Sequence, residues 1–113
     1  SDQIGSPTYA TDLAEVILKI IDNKDYQDKN QSTEIYNYSN EGEISWYDFT
    51  KEIFKIAKID CNINPIMASQ YKIPAKRPGN TTINNNKILK TFNFCSIFWK
   101  NSLNNHLLKK NYD

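Results

Sequence analysis

Leu13, Val16, Ile17, Ile20 and Ile21 recur at the spacing of one helical face after Pro7-Thr8. They predict an amphipathic helix from about Tyr9 to Asp22, with Thr8 as its N-cap. The polar run Asn23 to Thr33 has no period and reads as a loop. Glu34-Ile35-Tyr36-Asn37-Tyr38-Ser39 reads as a short strand, ended by a turn at Asn40-Glu41-Gly42. Ser45-x-x-Asp48, ahead of Trp46, Phe49, Ile53, Phe54 and Ala57, marks a second helix with a start like a capping box. Ile63 to Met67, interrupted by Pro65, is at best a short edge strand. Thr81-Thr82-Ile83 is expected to be extended, and Asn84 or Asn85 to cap a short helix through Ile88 and Leu89. Phe92 to Cys95 turns the chain. Ile97, Trp99, Leu103 and Leu107 then support a closing helix that ends in Lys109-Lys110, where cations suit the helix C-terminus.

The pattern is α+β, with about four helices and two or three very short strands. The 113 residues suit one domain. So few strands, separated by helices, do not make a self-sufficient sheet, because isolated edges need pairing or cover. Ile35 to Ser39 and the helix before it therefore read as pieces that join a larger sheet.

Fourteen basic and thirteen acidic residues leave a net charge of +1. Only Lys76-Arg77 and Lys109-Lys110 are adjacent cations, so no basic face draws the chain to nucleic acid or to a membrane surface. Cys61 and Cys95 form no C-x-x-C, and with one histidine no zinc site of ordinary ligand spacing can be assembled. No apolar run approaches the roughly 18 to 20 residues of a membrane helix, and the first residues lack a signal-peptide core. A soluble cytoplasmic protein with two free cysteines and no metal is expected.

Three glycines, Gly5, Gly42 and Gly79, exclude both G-x-G-x-x-G and a phosphate-binding P-loop. Tyr47-x-x-x-Lys51 matches the pair in which a lysine lowers a tyrosine's pKa for proton transfer to a reduced carbonyl. It lies in the first turn of a helix with no cofactor loop upstream, and reads as a half-buried tyrosine beside a solvated lysine. His106, late in the last helix, reads as a partly exposed helix residue. Asp2 to Thr8 combines a glycine, hydroxyls and a helix start, which suits either an anion or simple capping. In Tyr71-Lys72-Ile73-Pro74-Ala75-Lys76-Arg77-Pro78-Gly79-Asn80-Thr81, Pro74 and Pro78 bias Ile73 and Arg77 toward extended geometry. A guanidinium on so stiff a loop loses less entropy when it meets an anion, though an ordinary surface loop has the same composition.

Taken in order, five segments closely resemble one family, the dTDP-4-dehydrorhamnose reductases, which are extended short-chain dehydrogenase/reductases. They are Asp2-Gln3-x-Gly5-x-Pro7-Thr8, Asp12-Leu13, Ile35-Tyr36-x-Tyr38, Ser45-Trp46-Tyr47-x-Phe49 and Pro74-Ala75-x-Arg77-Pro78-x-Asn80. Lys72 and Thr81 depart from the family, which often has proline and serine there. The resemblance covers only the C-terminal, substrate-binding part of such an enzyme. It implies that an N-terminal Rossmann domain, outside residues 1–113, binds NADPH or NADH and carries the catalytic Thr/Ser-Tyr-Lys set, so that no catalytic residue lies in this chain. The implied reaction of the intact enzyme is reduction of dTDP-4-dehydro-L-rhamnose to dTDP-L-rhamnose. Arg77 is the residue expected to meet the nucleotide diphosphate or the sugar rim, with Gln3, Asn80 and Trp46 as further substrate-binding candidates. The expected partners are the dTDP-sugar, the Rossmann domain and, through an uncovered apolar face, a second copy in a homodimer. Competing readings are a reductase of another dTDP-4-keto sugar, a non-catalytic regulatory or interaction subunit, and an autonomous structural module.

Overall fold

A computed structural model of the chain describes residues 1–23, 32–71 and 74–109. Most of the expected polar loop at 23–33 lies outside them, as do Lys72, Ile73 and Lys110.

Ile4 is the hub of the fold. Strand β1 (Ile4–Gly5) pairs antiparallel with β2 (Ile44–Ser45), placing Ile4 opposite Ser45 and Gly5 opposite Ile44. On its other side Ile4 forms a parallel bridge with Asn80. Ile4 N–H donates to the Gly79 carbonyl at 2.8 Å, and Thr81 N–H donates to the Ile4 carbonyl at 2.9 Å. Three distant segments thus meet along one extended residue.

Helix α1 (Ala10–Ile21) leaves β1 through Ser6 to Tyr9. The expected N-cap, Thr8, is corrected to Tyr9, which has no side-chain cap. The Thr8 hydroxyl instead donates to the Ser6 carbonyl and accepts from Asn40 N–H, while Asn40 Oδ1 accepts from Tyr9 N–H at 3.0 Å. Helix α2 (Trp46–Ala57) starts as its sequence predicts, with Ser45 Oγ accepting from Asp48 N–H and donating to the Asp48 carboxylate. Helix α3 (Asn86–Phe92) begins after Asn85, whose side chain does not cap it. Asn84 Oδ1 accepts from Asn86 N–H at 2.8 Å. Helix α4 (Trp99–Lys109) closes the described chain. Its entry is fixed by a parallel bridge in which Glu41 N–H donates to the Ile97 carbonyl and Trp99 N–H donates to the Glu41 carbonyl.

Neither Glu34–Ser39 nor Ile63–Met67 is a strand. A strand needs a neighbour, and the described residues supply none to either segment. At Ser39 the role is taken by one side chain: Asn85 accepts from Ser39 N–H at 3.0 Å and donates to the Ser39 carbonyl at 2.6 Å. The described residues hold two strands of two residues each, and neither lies in a segment whose composition reads as a strand.

Val16, Ile88 and Phe92 form a small core, against which Ile20, Tyr36, Tyr38, Leu89 and Phe94 are partly buried. Phe49 of α2 packs edge-on against buried Trp99 of α4, with ring centroids 5.6 Å apart. Lys100 of α4 pairs with Glu52 of α2 at 2.9 Å. The radius of gyration is 17.5 Å, against about 13 Å for a compact domain of this length. Much apolar surface stays in water, including Leu13, Ile17, Leu18 and Ile21 of α1, and Ile35 at 77% exposure.

Candidate functional site

Because Gln3 precedes Ile4, Trp46 follows Ser45 and Arg77 lies just ahead of Gly79, the Ile4 hub delivers all three to one place. They line a cleft of about 280 Å³, together with Asp2, Met67 and Tyr71. Trp46 N–H reaches the Gln3 carbonyl at 3.4 Å, a long contact at the floor of this junction. Gln3 is half-buried and Arg77 exposed. Trp46 is not a core residue: 61% of it is exposed, and its ring meets that of Phe49 edge-on at 6.1 Å. Arg77 is the only arginine of the chain, and no carboxylate among the described residues pairs with it.

Asn80 is placed differently from the other three. It does not line the cleft; its backbone bridges Ile4, and its Oδ1 accepts from Thr82 N–H at 2.8 Å. The cleft also brings in residues that sequence reasoning missed. Asp2 Oδ1 accepts from Ala68 N–H at 2.8 Å, and this bond is the main cause that holds the Asp2 carboxyl below its ordinary value. Tyr71, the first residue of the proline-clamped stretch, is another. Its sequence signal is an aromatic in a polar loop.

The other candidates have structural partners. Lys51 Nζ lies 5.3 Å from the centroid of the Tyr47 ring, a cation–π contact that four-residue spacing on α2 produces. The His106 ring is half-buried against Tyr9, with centroids 5.3 Å apart. No group of three or more metal-ligating side chains is present among the described residues. None of their helices is long and apolar enough to cross a membrane.

An exposed arginine beside two exposed aromatic side chains is an arrangement that can hold a ligand. The chain thus carries a cleft of the ligand-holding kind. It belongs to the RmlD substrate binding domain family, whose model matches residues 1–111. A dTDP-4-dehydrorhamnose reductase of Aggregatibacter actinomycetemcomitans is 33% identical over 111 residues, covering 93% of this chain and 37% of that protein. Among solved structures, a dTDP-4-dehydrorhamnose reductase of Clostridium acetobutylicum is 36% identical, with a TM-score of 0.79 over 96% of this chain and 37% of that one. The Bacillus anthracis reductase, solved in complex with NADP, is 30% identical with a TM-score of 0.81, over 98% of this chain and 36% of its own. The chain thus spans little more than a third of the length of these relatives. The four helices and two-stranded sheet of the described residues share the fold of the matching part of those reductases.

Proposed function

We propose that this chain is the C-terminal, sugar-nucleotide-holding part of a dTDP-4-dehydrorhamnose reductase. The convergence of Gln3, Trp46 and Arg77 on one cleft carries the reading, in a chain of a substrate-binding family. The intact protein reduces the C4 ketone of dTDP-4-dehydro-L-rhamnose to the alcohol of dTDP-L-rhamnose. Hydride adds to C4 and the carbonyl oxygen takes a proton. What this chain contributes is position. Arg77 meets the diphosphate through charge-assisted hydrogen bonds, and Trp46 and Gln3 border the same ligand, so that C4 is presented at a fixed place. Asn80 acts through the backbone, joining the Arg77 loop to β1.

The residues present do not fit a nicotinamide cofactor. Of the three glycines none belongs to a dinucleotide fingerprint. NADPH or NADH, and the proton donor, are assigned to a Rossmann domain in the part of the protein that this chain does not span. The open face of α1 and exposed Ile35 are where that domain docks, since apolar surface of this kind seeks cover. A second copy of the protein is the other cover such a face admits, and the cytoplasm is the compartment in which the reaction is placed.

The full-length protein is expected to consume reduced nicotinamide when given dTDP-4-dehydro-L-rhamnose. Binding of the keto sugar without turnover would make the protein an interaction subunit instead, and absence of binding would remove the reading.

A further inference from the structure

Two large aromatic side chains line the cleft, Trp46 and Tyr71, and each leaves most of its surface in water, Tyr71 63% of it. Tyr71 follows a single turn of 3-10 helix, Ala68–Gln70, in which no residue is buried. That turn is fixed at both ends all the same. Ala68 N–H donates to Asp2 Oδ1 and Met67 N–H donates to Gln70 Oε1, each at 2.8 Å, while Tyr71 N–H donates to the Ala68 carbonyl at 3.2 Å. Two side chains that hold an exposed turn with no core beneath it do not serve burial. They set the direction in which the backbone enters Tyr71. An aromatic held this way loses less freedom when a ligand covers it.

Arg77 adds positive charge to the same cleft. A phosphate alone needs no aromatic wall, and a saccharide alone needs no cation. A planar, uncharged base joined to a phosphate uses both, through stacking on the rings and charge-assisted bonds to the guanidinium. Resting on the function proposed above, we propose that Tyr71 is a further ligand-binding residue of this site. It takes the pyrimidine base of the nucleotide whose diphosphate meets Arg77, with Trp46 as the second aromatic wall.

Calorimetric titration of the full-length protein with dTDP, and separately with inorganic pyrophosphate, tests this. Tyr71→Ala and Tyr71→Leu should each weaken dTDP by about tenfold or more, the scale of one base–aromatic stack, and Tyr71→Phe should stay within about threefold of wild type. Pyrophosphate binding should be the same in all four proteins. Unchanged dTDP affinity in Tyr71→Ala and Tyr71→Leu, or an equal loss for pyrophosphate, overturns the role of Tyr71 and leaves the proposed function standing. A wild-type protein that does not bind dTDP removes both.

Discussion

The side-chain amide of Asn40 donates to the Asp12 carboxylate at 2.6 Å, and this contact pins α1 to the loop that leads into β2. Asn40 is 1% exposed. Its Nδ2 also donates to Ser102 Oγ at 3.1 Å, and the Ser102 hydroxyl donates in turn to Asp12. With Oδ1 accepting from Tyr9 N–H, one amide ties the start of α1, the Asn40 loop and α4 together. The small apolar core is supplemented here by a satisfied polar one, which low local dielectric makes strong when complete and costly when broken.

Asn40→Ala is therefore expected to lower stability by about 2–4 kcal/mol, since it leaves Tyr9 N–H and the Asp12 and Ser102 oxygens short of a partner. Urea denaturation of the full-length protein measures it. Asn40→Asp sets two carboxylates together and should be worse at neutral pH than at acidic pH, where protonation of one relieves the repulsion.

Gly42 and Gly79 should respond oppositely to alanine. Gly42 has φ of 95°, and a Cβ there would come within 2.3 Å of the Phe98 ring. Gly42→Ala combines backbone strain with a clash at the start of α4, and a loss of about 2 kcal/mol or more is expected. Gly79 has open space around an added Cβ. Gly79→Ala should be neutral or stabilising by up to about 1 kcal/mol through the unfolded chain. Thermal unfolding of the two variants side by side checks the contrast.

What was legible in the sequence was what is local. The Ser45-to-Asp48 cap closes over three residues, so its composition announces it. Thr8 looked like a cap for the same reason, yet the group that reaches Tyr9 N–H comes from Asn40, which no local pattern connects to α1. Asn40 and Asn85 read as turn and cap residues because an asparagine in a polar loop carries the same signal whether solvated or buried. Glu34 to Ser39 has strand composition, but strand pairing is a property of two segments. Gln3, Trp46 and Arg77 belong to three separate family motifs, and only the pairings around Ile4 show why such distant positions share a cleft.

Arg77→Ala should weaken binding of dTDP-sugar to the full-length protein by about tenfold or more, the range of a charged hydrogen bond lost. Arg77→Lys should recover part of that, because a lysine restores the charge without the planar fork. Stability should change little in either, since Arg77 is exposed and pairs with no described carboxylate. Calorimetry paired with thermal melts separates the two effects; a melt shift as large as the affinity loss would assign Arg77 to the fold.

Strong acid should loosen the wall of the cleft at Asp2. The Asp2 carboxyl titrates below its ordinary value of 3.8, chiefly because the ionised form accepts from Ala68 N–H. A group whose folded pKa is lowered binds fewer protons in the folded state. Its contribution is therefore complete above the ordinary value and is lost as pH falls through the lowered one. The Ala68 amide resonance should accordingly shift with a midpoint below 3.8 in wild type, and the transition should vanish in Asp2→Asn. An Ala68 midpoint at or above the ordinary value would mean that Asp2 does not hold the turn in solution.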